Sequence, residues 1–485
     1  MFVDYINSFP GYEFVFGSDD KPHNMYRGVD LGLGGWVYTK PGIYTNVALL
    51  DVASLHPHSI VALNKLGKYT KRYEDLMNAR VFIKHKDYDS ASKLFDGKLE
   101  KYLASKEQAK TLSKALKLPI NAFFGCSFAT FPNPARDSRD KNNIIALRGS
   151  LFMKTLFDAC EERGYEIIHV KTDSVKIANA DISIVKFVQE FAKKYGYEME
   201  HEAVYDRICL IDKAQYIAAY MNPEKCVDIY GYAPSENVEH LEECGHPWTA
   251  TGDEFQRPYV FKTLFSGEEL IFDDYCETNT VAKGAIYLDI NEGMPNVDIW
   301  EKELERRLFN ANNPDSPPMK LNPEMSGMSD DDIRAEIAKG HNYQFIGRVG
   351  RFYPIKPGKG GGWQMVLRDG KYNSVAGSKG YRWLEAELVK NLHKEGERDI
   401  RYHDEMVRKS IAKFSKFGSF ERFIDLSRPY EAPSPIDIPS ATDDLIVPCG
   451  DNKYNTCLDC PQCEGDICHR GYSLTSYVEK GGESA

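Results

Sequence analysis

Two aspartates stand where a carboxylate could bind a cation. In HVKTDSVKI (residues 169–177), apolar β-prone ends flank a polar centre, predicting a tight hairpin with Asp173 at its tip and Lys171 two residues earlier. In NVALLDVASLHPHSI (46–60), an apolar strand runs directly into Asp51. If the two strands are neighbours, two hard oxygen ligands meet at one sheet end and repel unless cations lie between them. Each has a plainer reading: Asp51 as a helix N-cap, Asp173 as an ordinary turn residue. A third stretch, KLPINAFFG (117–125), puts Lys117 and Asn121 four residues apart on one helix face, with Lys110 two turns back. Such a face can hold a triphosphate, lysine acting as a point charge. The alternative is a solvated helix followed by a glycine stop.

A separate cluster lies near the C-terminus. Cys449, Cys457, Cys460, Cys463 and Cys468, followed by His469, have the spacing Cys-x7-Cys-x2-Cys-x2-Cys-x4-Cys-His. Zinc takes four thiolate or imidazole ligands in a tetrahedron. Cys457 and Cys460 make one pair, and two of Cys449, Cys463, Cys468 and His469 complete it. An iron–sulfur cluster and unliganded thiols are the competing readings.

The elements that must position these residues follow from pattern. Residues 30–51 read as a Gly-rich turn entering a strand. Residues 60–116 are lysine-rich and helical, with Leu99, Leu103, Leu112 and Leu116 on one side and Lys106, Lys110 and Lys117 recurring at helical spacing. A polar loop covers 131–143. An amphipathic helix spans 150–163 with Gly164 as its C-cap, and another spans about 181–195, ending near Gly196. Short strands pass through RICLI and QYIAAY. This is an α+β order, with helices on one face of an antiparallel sheet. Proline-rich segments at 310–323 and 428–440 read as linkers. KGGGW (359–363) lacks the lysine-serine/threonine end of a P-loop and reads as a hairpin loop.

The 485 residues suffice for a core without disulfides. The composition is that of a globular protein, 42% hydrophobic and 27% charged. No apolar run reaches membrane-helix length, and MFVDYINSFP lacks a signal-peptide pattern. A cytoplasmic, reducing location is the expectation. Net charge is -11, yet residues 60–176 hold 22 Lys/Arg against 14 Asp/Glu. A basic segment on an acidic body suits a polyanion held in one channel; a solvated helix explains it equally well.

Together these stretches resemble the motifs of family B DNA polymerases. DVASLHP (51–57) resembles motif A, Asp-x-x-Ser-Leu-Tyr-Pro. KLPINAFFG resembles motif B, Lys-x3-Asn-Ser-x-Tyr-Gly, and KTDS (171–174) resembles motif C, Asp-Thr-Asp-Ser. They occur in the family's order. GLGGWV (32–37) resembles the Tyr-x-Gly-Gly motif, placing Gly34 and Gly35 against template. The wording is closest to bacteriophage members, and the resemblance covers about residues 30–220.

The resemblance implies a right-hand fold, with an antiparallel palm sheet carrying helices on one face, helical fingers and a thumb. The implied segments are an N-terminal lead (1–43), palm and fingers (44–220, fingers about 60–125), a thumb-like region (221–310), a mixed α/β region (324–428) and a Cys-rich knot (445–475). Asp51 and Asp173, with the Val52 carbonyl, would hold two Mg²⁺. Ser54, Leu55, His56, Lys110, Lys117, Asn121 and Phe124 would meet the nucleotide. Gly125, Lys171, Thr172, Ser174, Lys213 and Tyr216 would meet DNA. Implied partners are primer-template and dNTPs, with no membrane, in a monomer serving phage replication in the host cytoplasm.

Departures from the pattern are informative. His56 replaces the tyrosine that excludes ribose. Ala122 and Phe124 each lack a motif B hydroxyl. Pro119 should bend its helix. Gly32 stands for the tyrosine of the Gly-Gly motif. Lys171 replaces the first aspartate of motif C, the one the family can spare. Fifty residues precede Asp51, so a proofreading exonuclease is expected to be absent or to come from a separate subunit. The gaps between motifs leave little room for protein-priming insertions. Other palm polymerases, such as reverse transcriptases, usually carry paired aspartates where KTDS has one. A non-catalytic remnant that only binds primer-template is the reading from a different class.

Overall fold

The computed structural model describes residues 2–430, except 19, 138–139, 291–296, 315 and 369, together with the short strands Cys463–Glu464 and Ile467–Cys468. The chain divides into two units, the first formed by residues 1–253 and 414–441 and the second by 254–413 and 442–485.

The first unit opens with helix α1 (Phe2–Asn7) and a small antiparallel sheet of β1 (Tyr12–Phe16), β2 (Pro22–Tyr26) and β3 (Val29–Asp30). β4 (Val37–Thr39) and β5 (Gly42–Val52) follow. Then come helices α2 (Leu55–Ala62), α3 (Thr70–Lys84), α4 (Tyr88–Lys93), α5 (Lys106–Ser127) and α6 (Ile144–Glu161). The hairpin β6 (Glu166–Lys171) and β7 (Ser174–Ala178) leads to α7 (Ile182–Lys194), β8 (Met199–Leu210) and β9 (Tyr216–Tyr220). Helices α8 (Pro223–Tyr230) and α9 (Ser235–Cys244) precede β10 (Trp248–Thr251). Strands β4 to β10 form one antiparallel sheet in the order β10-β9-β8-β5-β7-β6-β4.

β5 is central because VALL, residues 47–50, is buried on both faces. One face packs against α6 and α7, through Leu50, Val52, Val175 and Ile177 meeting Leu147, Leu151, Phe152, Val185 and Val188. The opposite face carries Val47, Leu49, Ile168, Ala203, Tyr205, Ala218 and Tyr220. Burying a Leu- or Val-sized side chain contributes about 1.5–3 kcal/mol, so this double-sided core fixes the register at the strand ends. α3 and α5 form a second cluster through Tyr73, Ala79, Ile83, Ala109, Leu116 and Ile120, with Tyr73 Oη donating to the Ile120 carbonyl at 2.9 Å.

Several boundaries differ from the sequence reading. α6 starts six residues earlier than residue 150, because Gly149 lies inside it. α5 continues through Pro119 from Ser105, whose hydroxyl accepts from Gln108 N at 3.2 Å. Thirteen residues precede that proline in the helix, so the missing N–H costs one bond and does not end it. Asp181 caps α7 by accepting from the amides of Ser183 and Ile184.

The second unit holds two antiparallel sheets. One orders Glu277–Thr280, Val349–Ile355 and Arg382–Glu385; the other orders Tyr343–Gly347, Ala285–Asp289, Trp363–Arg368 and Lys371–Ser374. KGGGW is therefore not a hairpin loop: Val349–Ile355 and Trp363–Arg368, on either side of it, lie in different sheets. A Cβ on Gly361 would come within 2.2 Å of Ile355 Cγ2, and one on Gly362 within 2.7 Å of the Asp289 carbonyl oxygen. Close packing explains these glycines.

Candidate active site

The two aspartates meet as the hairpin argument requires. Asp51 pairs with Ser174 across β5 and β7, and the Val52 amide donates to the Asp173 carbonyl at 2.8 Å. The end of the central strand is thus stitched to the hairpin tip. The two-residue turn holds Thr172 at φ +59, a conformation costly for a β-branched residue. It is braced from one side. Thr172 N–H donates to the Trp36 carbonyl at 3.0 Å, and Asp173 N–H to the Lys171 carbonyl at 2.7 Å. Gly35, at φ +138, faces Thr172 so closely that a Cβ there would sit 2.8 Å from Thr172 Cγ2. The last glycine of GLGGWV therefore lies against the Asp173 hairpin itself.

The electrostatics is that of crowded carboxylates. Burial, then the charges of Asp173 and Glu202, push Asp51 up to about 8, against the pull of Lys84. Burial also raises Asp173 and Glu202. Burial pushes Glu200 upward too, but hydrogen bonds from Lys84 and His85 outweigh it and hold the group below its ordinary value. Among the described residues, neither Asp51 nor Asp173 takes a hydrogen bond or ion pair from another side chain, and no three His, Cys, Asp or Glu residues converge as a complete metal cage. Two carboxylates without a side-chain partner among the described residues suit Mg²⁺, which keeps waters and takes one or two carboxylates plus substrate phosphates.

Motif A continues through a strained turn. Ser54, at φ +61, precedes α2, and its carbonyl accepts from His58 Nδ1 at 3.0 Å. Leu55 is buried against Gly149, where a Cβ would approach Leu55 Cδ2 to 2.7 Å. The His56 ring stacks on Phe124, with centroids 3.9 Å apart and planes at 11°. Burial drives the His56 imidazole down to about 4, so it is neutral at physiological pH. Motifs A and B thus meet through this ring pair. Beside it, Leu33, Gly34, Phe124, Gly125, Phe128 and Asn143 line a cavity of about 390 Å³. Lys110, Lys117 and Asn121 lie exposed along α5 with Lys106 and Lys114. Among the described residues none of these lysines has an ion pair.

Lys171 is exposed at the end of β6, opposite Ser174. Lys213 is exposed in the turn before β9, and Tyr216, which opens β9, is half-buried beside Tyr205. Glu200, Glu202, Lys84, His85, Trp36, His169 and Lys176 were not anticipated from sequence. Of the cysteine cluster, Cys463–Glu464 and Ile467–Cys468 pair as two short antiparallel strands. Their side chains, and Cys449, Cys457, Cys460 and His469, lie outside the described residues.

Comparison with known proteins finds DNA polymerases. The chain is similar to DNA polymerase 2 of Aeropyrum pernix, 23% identical over 216 residues, which is 40% of this chain and 26% of that protein. It is also similar to DNA polymerase II of Escherichia coli K12, 30% identical over 158 residues, 29% of this chain and 19% of that protein. Over these segments the chain is similar to two proteins named as DNA polymerases. It matches about a quarter or less of the length of these curated relatives. A family B DNA polymerase structure from Pyrobaculum calidifontis aligns over 78% of this chain and 46% of that one, with 11% identity and a TM-score of 0.38. No protein-family model matches the chain. Among the described residues, no helix of the chain is long and apolar enough to cross a membrane.

Proposed function

We propose that the chain catalyses template-directed DNA synthesis, transferring a nucleotide from a dNTP to a primer 3′-hydroxyl. The observation that carries this reading is the meeting of Asp51 and Asp173 at one sheet end, joined by the Val52 N–H bond to the Asp173 carbonyl. Asp51, Asp173 and the Val52 carbonyl would hold two Mg²⁺, which supply activation of the 3′-hydroxyl and neutralisation of charge on the departing pyrophosphate. Asp51 and Asp173 must both be ionised for this, so the mutual repulsion that raises Asp51 is what bound cations relieve. Lys117 and Lys110 would take the triphosphate as point charges. Asn121 would lie beside the nucleotide. His56, held flat by Phe124, would press on the sugar and exclude a 2′-hydroxyl. Lys171, Lys213 and Tyr216 would meet the primer strand, and Gly34 and Gly125, beside the cavity, the template side. The cysteine cluster is proposed as a structural zinc site; zinc or iron content of purified protein tests it.

The test is templated incorporation. With Mg²⁺ and a primed template, the dNTP complementary to the first template base should add once, and the other three should not. Incorporation that ignores the template would contradict the reading. Binding of primer-template without any incorporation would support the non-catalytic alternative.

A further inference from the structure

Lys176 is a buried cation that the proposed chemistry does not use. It lies on β7 three residues beyond Asp173 and pairs with Leu49 of β5, so it shares the sheet face of Asp51. It is 4% exposed. Its ammonium donates to His169 Nδ1 at 3.3 Å and lies 4.9 Å from the centroid of the Tyr216 ring. Among the described residues no carboxylate pairs with it. His169, itself 2% exposed, uses its other nitrogen, Nε2, to donate to the Lys213 carbonyl at 3.3 Å. These two bonds fix the neutral tautomer with its proton on Nε2, and burial holds both groups below their ordinary values.

A buried, unpaired ammonium is costly, and an apolar side chain of similar length would fill the space without that cost. What the arrangement achieves is a connection. In the sheet order, β5 and β7 stand between β8 and β6, so no backbone ladder joins the 211–215 turn to the Asp173 hairpin. The turn is closed by Ile211 N–H on the Gln215 carbonyl at 2.9 Å and held by Thr251 Oγ1 on the Ala214 carbonyl at 3.0 Å. Neither bond reaches the hairpin. The path Lys176–His169–Lys213 does, and Lys176 also abuts Tyr216.

We propose that Lys176 and His169 are positioning residues that tie the Lys213–Tyr216 turn to the Asp173 hairpin, and so set where the primer end lies relative to the metal-binding carboxylates. This rests on the polymerase reading for what the turn touches. The linkage is specific to the primer: it reaches neither α5 nor His56, so nucleotide binding is untouched by it.

The experiment compares wild type with Lys176→Met, His169→Leu and His169→Gln. It reads primer-template Kd, dNTP KM, kcat and Tm in one series. Lys176→Met and His169→Leu should weaken primer-template binding roughly tenfold, with dNTP KM within about twofold of wild type. Lys176→Met should keep or raise Tm, since a buried unpaired charge is removed. His169→Gln, whose amide still donates to the Lys213 carbonyl, should bind primer-template like wild type. Unchanged primer affinity in both disrupting variants would overturn the proposal. So would a joint rise in primer Kd and dNTP KM with a fall in Tm, the mark of a merely structural role. A wild type that binds primer-template but never extends it would instead overturn the polymerase reading, in the same assay.

Discussion

At the scale of single residues, the site is governed by the burial of its carboxylates, with repulsion between them second. Asp51 is held up to about 8 by burial first, then by Asp173 and Glu202. The sign follows from linkage. In the unfolded chain Asp51 ionises near its ordinary value of 3.8, whereas in the fold it keeps its proton to about 8. Its contribution to metal-free stability is therefore fully present below pH 3.8 and is lost as pH rises to about 8. Asp51→Asn should raise the metal-free Tm at pH 8.5, and Mg²⁺ should stabilise wild type but not the variant, both read by thermal denaturation. Equal Tm values with and without Mg²⁺ in wild type would count against a cation between the carboxylates. The His56–Phe124 stack makes a second prediction. His56→Ala should raise rNTP incorporation relative to dNTP, by about tenfold if the ring accounts for roughly 1.4 kcal/mol of discrimination. An unchanged ratio would remove His56 from sugar selection. Asp51 and Asp173 stood out in the sequence because each interrupts an apolar, β-prone stretch, Lys117 by its helical spacing and His56 by the motif resemblance. Glu202 and Lys176 did not. Lys176 falls in the β-prone end of HVKTDSVKI, and its burial involves Tyr216, 40 residues away.

At the scale of elements, two glycines do more than the sequence suggested. Gly149 lies just outside the 150–163 helix read from sequence, yet it is the sixth residue of α6, where Leu55 needs the room. Gly149→Ala should destabilise the fold by about 1–3 kcal/mol through overpacking and lower kcat through displacement of motif A; denaturant unfolding with parallel kinetics checks both. Loss of stability without loss of kcat would mean Leu55 does not help set Asp51. The helices and the Asp173 hairpin were legible from periodicity and turn chemistry. The pairing of β5 with β7, 122 residues apart in the chain between the aspartates, was not, because register between distant strands is set by a shared core. The Gly-Gly segment resembled a DNA-facing motif; its contact with Thr172 appears only once β4 is paired with β6.

At the scale of the whole molecule, charge is segregated: the lysines of α5 and the ends of β6 and β9 stand on a chain of net charge -11. Primer-template affinity should fall steeply with salt. With six phosphate contacts the loss is about 10³-fold between 50 and 200 mM, and a flat salt profile would contradict a basic channel. Within the first unit, Arg207 is buried and donates to the carbonyls of Phe423, Asp425 and Arg428 at 3.1, 2.9 and 2.8 Å. It anchors residues 423–428 to β8. Nothing in the sequence marked this arginine, whose carbonyl partners lie more than 200 residues away.

The measurement that bears most directly on the central claim is primer extension by wild type beside Asp173→Asn, at equal primer-template occupancy and with Mg²⁺ and dNTPs. The substitution keeps size and removes the charge that would hold the ions. Extension by wild type and its abolition in Asp173→Asn is the expected result. Extension that persists in Asp173→Asn would contradict the assignment of Asp51 and Asp173 as the metal-binding pair.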